Sequence, residues 1–380
     1  VDCADFGRAL CAACFELGAK DVVMDWRDDV CSREHWLHAD DSVFDAVYPW
    51  DVEKNTQLGR EGAGFISVSA SDPENLRGVS TDRLRRWEEA SGRDQKEFYR
   101  TMMANGFPWC VVSVPVLSWA KKVFPNDGDA AAMEKLWNAI FKTVRVTEGG
   151  DAVEAWRAHC AYLDEMAGKL NALQLKQVRY KNALGTDVVV GLPEEHVWLA
   201  GADTARSGVR FVANMPTEEV FSAPKRDAVD GVLAASKPLA LNGNVIEGIR
   251  LTLEHGRIVG IHADTNEDVL RQAIETDEGA HYLGEIALVP VDSPIAQSGL
   301  LFYNTLFDEN AACHFAFGQA YPACVPNGDN LSEEELVRRG INAVSNTHVD
   351  FMVGTEDLSI IGMTKDGRDV VVFENGRFAL

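Results

Sequence analysis

The chain is poor in positive charge and in long apolar segments. Its 36 lysine and arginine residues face 59 aspartate and glutamate residues, which gives a formal net charge of −23 over 380 residues. Because an acidic surface repels nucleic acid and anionic membranes, we expect neither as a partner. The sequence also lacks a run of about 18 apolar residues, the length that a membrane helix needs. An acidic chain instead favours metal cations or cationic substrate groups.

Cysteine pairs and the common hydrolase motifs are also missing. The eight cysteines are scattered, which is typical of a reducing compartment. With no visible signal peptide, we expect a cytoplasmic protein. Cys11 and Cys14 have C-x-x-C spacing, but their apolar helical surroundings favour buried helix cysteines. Neither H-E-x-x-H nor G-x-S-x-G occurs, so a helical zinc protease and a serine hydrolase lose their main support.

The patterning of apolar residues predicts two domains, which also suits the length of the chain. Residues 1–173 alternate helical patterns with apolar strands at 21–25, 65–70 and 109–115, which is typical of an α/β domain with a mostly parallel sheet. The helical pattern begins almost at Val1, so we expect this domain to lack its first strand. Residues 174–380 carry closely spaced strands and hairpins, which predicts a β-rich α+β catalytic domain.

Candidate metal ligands are concentrated in four segments of the second domain. The segments contain Glu218 and Glu219; Glu285; Asp308, Glu309, His314 and Tyr321; and His348 and Asp350. Carboxylate combined with imidazole is the ligand set of zinc, manganese or cobalt sites and differs from the thiolate set of purely structural zinc. Asp308 and Glu309 could belong to a ligand loop or to an ordinary turn. The whole set indicates metal-assisted hydrolysis.

Strand alternation groups the two histidines with suitable neighbours. His348 and Asp350 share one face of a predicted strand and could hold one ion, although a hydrogen bond between them without metal explains the same pattern. His314 shares its face with Ala316 and Gly318, which leaves room for an ion or a substrate. A buried core histidine is the alternative for His314.

The other candidates also have ordinary structural explanations. Glu285 opens an apolar run, where a carboxylate is costly unless it is paired or bound to a cation, but it could be an exposed strand end. Glu218 and Glu219 could divide metal binding and proton transfer between them, or form the first turn of a helix capped by Thr217. Tyr321 could ligate a metal, donate to an oxyanion or form a buried hydrogen bond.

Four segments resemble the signatures of the M29 family of metallo-aminopeptidases: NMPTEEVF at 214–221, GEIALVP at 284–290, LFDENAACH at 306–314 and HVDFMVG at 348–354. The resemblance covers essentially the whole chain. It implies a dimer of two-domain protomers, each with two divalent ions of zinc, cobalt, manganese or magnesium. By motif, it implies the metal ligands Glu219, Glu285, His314, His348 and Asp350, with Tyr321 as a site tyrosine. Glu218 is the candidate general acid/base.

The function expected from this resemblance is the release of N-terminal amino acids from peptides by a water molecule activated by two metals. The partners would be peptides with a free N-terminus. A dinuclear hydrolase of phosphoesters or non-peptide amides is one alternative, although few lysines and arginines lie near the motifs. A non-catalytic metal-binding homologue is another, and it predicts a broken ligand position, whereas all the motif positions are intact.

Overall fold

The structure is a computed structural model that describes residues 2–241 and 243–380. The chain forms two compact units. The first comprises Val1–Thr147 and Thr204–Met215, and the second comprises Glu148–Asp203 and Pro216–Leu380. The sequence predicts one boundary at residue 173, whereas the chain crosses between the units three times. The division into separately folding domains at residue 173 stays a prediction.

Helices are frequent in the first unit and sparse in the second. The α-helices are α1 Ala4–Glu16, α2 Asp29–His38, α3 Pro49–Arg60, α4 Thr81–Asp94, α5 Lys96–Met103, α6 Leu117–Val123, α7 Asp129–Thr143, α8 Ala152–Leu173, α9 Glu267–Ile274, α10 Pro294–Ser298, α11 Thr305–Asp308 and α12 Glu333–Arg339. Among the described residues, no helix has both the length and the apolar character that crossing a membrane requires. The helical patterns that the sequence shows within residues 1–173 correspond to helices α1 to α8.

Strands dominate the second unit. The strands are β1 Phe65–Ser69, β2 Trp109–Ser113, β3 Leu175–Lys181, β4 Asp187–Gly191, β5 Leu199–Ala200, β6 Asp203–Thr204, β7 Arg210–Phe211, β8 Asn214–Met215, β9 Val220–Ser222, β10 Val229–Ala234, β11 Leu239–Leu241, β12 Asn244–Ile246, β13 Arg250–Glu254, β14 Arg257–His262, β15 Leu283–Leu288, β16 His314–Gly318, β17 His348–Met352, β18 Ser359–Thr364, β19 Asp369–Glu374 and β20 Arg377–Phe378.

The first unit contains a parallel sheet in the order β1-β2-β8, as an α/β pattern predicts. The strand predicted at 21–25 is wrong, because this segment is irregular. Met24 lies near helix α1, whereas Val23 is exposed. A Cβ placed on Gly7 of that helix would lie only 2.7 Å from the Trp26 ring and 3.3 Å from Met24. The exposed Asp21 and Asp25 leave too little apolar surface for a buried strand.

The described residues of the second unit form two large antiparallel sheets that share one core, besides the two-stranded sheet β11–β12. The larger runs in the order β14-β13-β10-β4-β3-β18-β19-β20, and the smaller in the order β17-β16-β15-β9-β5. The predicted hairpins appear as the pairs β3–β4 and β13–β14. Tyr180 of the larger sheet packs against Phe315 of the smaller, with ring centroids 5.0 Å apart. One face of the smaller sheet is therefore committed to the core, and its other face can carry polar side chains.

Candidate metal centre

The site lies on the face of the smaller sheet that points away from this core. Phe315, Phe317 and Phe351 alternate into the core and are almost fully buried. The residues between them point to the opposite face. Ala316 pairs with Glu285 on one side and with Asp350 on the other. The small Ala316 side chain therefore leaves an open position between the two carboxylates, as the sequence predicts for the small neighbours of His314.

A β-bulge sets the position of Glu285. Leu283 pairs with Phe317, but Glu285 already pairs with Ala316, so Gly284 is the extra residue of β15. A Cβ on Gly284 would lie 2.4 Å from the Gln319 carbonyl oxygen and 2.5 Å from that of Gly318. Only glycine fits there without displacing the neighbouring backbone. The bulge turns Glu285 toward the polar face.

We expect Gly284→Ala to weaken metal binding by about 10- to 100-fold, because it disturbs the support of two candidate ligands. The added methyl group would push against the Gln319 carbonyl, which accepts a hydrogen bond from Nδ1 of His348 at 2.7 Å. Competition against a chromogenic chelator measures the affinity. Gly168→Ala is the matched control, because nothing lies within 4 Å of that position in helix α8. Equal metal affinity in Gly284→Ala and the wild type would exclude a supporting role for the bulge.

The first group of candidate ligands consists of Glu219, Glu285 and His314. Nε2 of His314 lies 3.2 Å from Oε2 of Glu219 and 3.8 Å from Oε1 of Glu285. All three residues are buried. Glu219 comes from the segment before β9, Glu285 from β15 and His314 from the start of β16. The sheet therefore joins ligands that are far apart in sequence.

The second group consists of Glu285, His348 and Asp350. Nε2 of His348 lies 3.1 Å from Oε2 of Glu285 and 3.4 Å from Oδ1 of Asp350. Glu285 thus belongs to both groups, with one carboxylate oxygen facing each histidine. A shared carboxylate is the usual arrangement when two divalent ions occupy neighbouring positions.

The donor chemistry fits divalent cations. Nδ1 of His314 lies 3.1 Å from the Ala312 carbonyl oxygen, and Nδ1 of His348 has a similar carbonyl partner. Since a carbonyl only accepts, each neutral ring carries its proton on Nδ1 and turns the Nε2 lone pair toward carboxylate oxygens. Oε2 of Glu219 and Oδ1 of Asp350 are buried and make no hydrogen bond of acceptable geometry. A cation between these atoms would accept the Nε2 lone pairs and would also give the two buried carboxylate oxygens a partner.

Without metal, a proton has to serve as this cation. Burial alone would lower the pKa of His314, but the carboxylates of Glu219, Asp350 and Glu285 outweigh burial and raise the pKa to about 10. Burial raises the pKa of Glu285, against the opposing effect of His348. The cluster therefore attracts positive charge strongly, which is the electrostatic condition for metal binding.

Glu218 and Glu219 face different partners. The segment before β9 is irregular, so the helix start capped by Thr217 is not formed. Glu219 contacts His314, whereas Oε2 of Glu218 lies 3.7 Å from Nε2 of His159. Glu218 is buried, and its backbone N–H donates to Oδ1 of Asn310 at 2.7 Å. The two adjacent acids can therefore perform separate tasks.

Tyr321 lies beside the second group. Its ring centroid is 5.1 Å from that of His348 and 5.7 Å from that of Phe221. The interaction with protonated His348 lowers the pKa of the phenol, but burial and nearby carboxylates such as Glu285 outweigh it and raise the pKa. Tyr321 therefore keeps its proton at neutral pH and can donate a hydrogen bond.

The segment at 308–310 divides its residues between structure and site. Asp308 accepts hydrogen bonds from the backbone N–H groups of Phe302 and Asn304, and burial raises its pKa to about 7. The contacts of Asp308 therefore fit an ordinary turn rather than a ligand loop. Burial, Asp350 and Glu219 together raise the pKa of Glu309 well above its usual range. The carboxyl of Glu309 therefore interacts electrostatically with the candidate ligands. The motif indicated this segment, but only the fold separates the roles of its residues.

Comparison with known proteins gives the family of the chain. The sequence profile of the family described as thermophilic metalloprotease (M29) matches residues 1–378. The chain belongs to this M29 family. Aminopeptidase AmpS of Bacillus subtilis is 43% identical over 378 residues, which covers 100% of this chain and 92% of that protein. Aminopeptidase T of Thermus thermophilus is 39% identical, with the same coverage of both chains.

The fold of the M29 chain also matches that of a solved relative. The solved structure of wild-type AmpT from Thermus thermophilus superposes with a TM-score of 0.92 and 38% identity, and it covers 100% of this chain and 92% of that one. The predicted combination of an α/β part with a β-rich part is thus confirmed. Membership of a metalloprotease family also supports the use of a divalent metal.

Proposed function

We propose that this M29 chain is a metal-dependent aminopeptidase that hydrolyses the first peptide bond of peptides with a free N-terminus. The observation that carries the proposal is the pair of ligand groups that share Glu285, each with a histidine whose Nε2 faces carboxylates. The relatives named aminopeptidases give the reaction class. A phosphoesterase has no comparable support in this chain.

Two divalent ions, of zinc, cobalt, manganese or magnesium, would be held by Glu219, Glu285, His314, His348 and Asp350. When bound, they supply Lewis-acid activation of water and of the scissile carbonyl. The half-buried Glu309, whose pKa is raised by burial and by Asp350 and Glu219, is a further ligand candidate.

Two residues of the chain would handle protons and developing charge. Glu218 accepts a proton from the attacking water and returns it to the leaving amine, which is general acid/base catalysis by a buried carboxylate. Tyr321 donates a hydrogen bond to the oxygen of the tetrahedral intermediate, because its raised pKa keeps the phenol protonated. Carboxylate oxygens not used by the ions would receive the α-ammonium group of the substrate.

The test is a panel of aminoacyl-p-nitroanilides with purified, metal-loaded protein. We expect turnover of at least one member and no turnover of its N-acetylated form, which lacks the α-ammonium group. p-Nitrophenyl phosphate should be inert. A metal-replete protein that cleaves no member of the panel, or that cleaves the acetylated and free substrates equally, contradicts the aminopeptidase proposal.

Homodimer formation and a cytoplasmic location remain parts of this proposal, and sedimentation and cell fractionation test them.

A further inference from the structure

The peptide bond that precedes Glu218 is held from both sides. Nε2 of His159 lies 2.8 Å from the carbonyl oxygen of Thr217. On the other side of the same peptide, the N–H of Glu218 donates to Oδ1 of Asn310 at 2.7 Å. Because a carbonyl oxygen only accepts, Nε2 of His159 must carry a proton. The backbone at Glu218 is thus fixed although it has no regular secondary structure.

Both holding groups are rigidly placed. His159 follows Trp156 by three residues and precedes Leu163 by four, so it lies on the buried face of helix α8. Its ring packs edge-on against Trp156, with centroids 5.6 Å apart. Asn310 is fully buried, and its Nδ2 donates to the Leu306 carbonyl at 3.1 Å. Neither group can shift without repacking the second unit.

The same imidazole also lies close to the Glu218 carboxyl. Oε2 of Glu218 is 3.7 Å from Nε2 of His159, which is too long for a hydrogen bond but short enough for an electrostatic interaction. The side chains of His159 and Glu218 are only 8% and 4% exposed, so water screens this interaction weakly. His159 therefore acts on Glu218 through the backbone and through space.

We propose that His159 is a positioning residue that directs the Glu218 carboxyl through its hydrogen bond to the Thr217 carbonyl. This inference rests on the proposed function, in which Glu218 transfers protons. Because His159 contacts Thr217 and Glu218 and belongs to neither ligand group, its loss should affect the chemical step and spare substrate and metal binding. A displacement of about 1 Å in a catalytic group costs about a hundredfold in rate, so the effect should be large.

Two substitutions separate positioning from packing. Glutamine places an amide N–H near the position of Nε2, whereas leucine fills similar space without a donor. We expect His159→Leu to lower kcat by about 10- to 100-fold, with KM and metal content within about twofold of the wild type. His159→Gln should recover kcat to within a few fold. His196→Leu is the matched control, because it removes another buried histidine bonded to a backbone carbonyl in the same unit.

The outcomes distinguish this inference from the proposed function. An active wild type with unchanged kcat in His159→Leu overturns the inference alone, as does a loss that appears in KM or in metal content. Equal losses of kcat in the leucine and glutamine variants also overturn it. If neither variant folds, or if the wild type is inert, ¹⁵N-histidine NMR of the metal-free wild type decides. We expect a protonated Nε2 at His159, and a proton on Nδ1 alone overturns the inference.

Discussion

Glu285→Gln is expected to lower aminopeptidase turnover by more than about a hundredfold. Loss of a residue that only supports a metal ligand costs about 10- to 100-fold, and Glu285 is a candidate ligand common to both groups. Glutamine keeps the shape of the side chain but removes the charge that faces His314 and His348. The measurement is kcat/KM on the best aminoacyl-p-nitroanilide, together with the metal content of the dialysed protein.

The same variant should lose turnover without losing stability when the protein is free of metal. Burial raises the pKa of Glu285 more than its hydrogen bond to His348 lowers it, and neighbouring acids raise it further, so the charged form of this carboxyl destabilises the metal-free fold. Metal-free Glu285→Gln should therefore melt no lower than the metal-free wild type, while the stabilisation by added metal disappears. Glu254→Gln, on an exposed position of β13, is the control and should behave as the wild type. Full activity of Glu285→Gln would show that Glu285 is not part of the metal centre.

Removal of the metal by a chelator is expected to abolish turnover and to make stability fall as the pH rises. The raised pKa of His314, about 10, means that the folded metal-free protein keeps a proton that the unfolded chain releases near pH 6.5. This contribution to stability is fully present below about pH 6.5 and is lost as the pH rises toward about 10. The raised pKa values of Glu285 and Glu309 act in the same direction.

Bound metal replaces this proton, and its affinity grows as the ligands lose their protons. The difference in melting temperature between metal-loaded and metal-free protein should therefore widen from pH 6 to pH 9. Thermal unfolding of both forms across this range checks the prediction. A difference that stays constant or narrows would show that His314 is not held protonated by the carboxylates in the metal-free protein.

Strand alternation predicts much of the site. The pattern of His314 with Ala316, and of His348 with Asp350, places these side chains on one face with the phenylalanines on the other, and the fold agrees. This succeeds because a period of two is a local property of an extended chain. The sequence also identifies the family, because its motifs are contiguous.

The remaining features depend on register and on distant contacts. The bulge at Gly284 arises from the pairing of β15 with β16, and no pattern within β15 predicts it. His159 lies on a helix about sixty residues before the peptide that it holds, and a single histidine on a buried helical face carries no signal of its own. The sequence also leaves open the conformation of the segment before β9, because the contacts of Glu218 with Asn310 and His159 decide it.

The most direct test of a two-metal aminopeptidase centre is a titration of metal into metal-free protein. Bound metal per chain and turnover of an aminoacyl-p-nitroanilide are measured at each step. Turnover should be absent at the start and should reach its maximum at about two ions per chain, the number that a shared carboxylate between two ligand groups predicts. Turnover that is already complete in protein with essentially no bound metal would contradict the account.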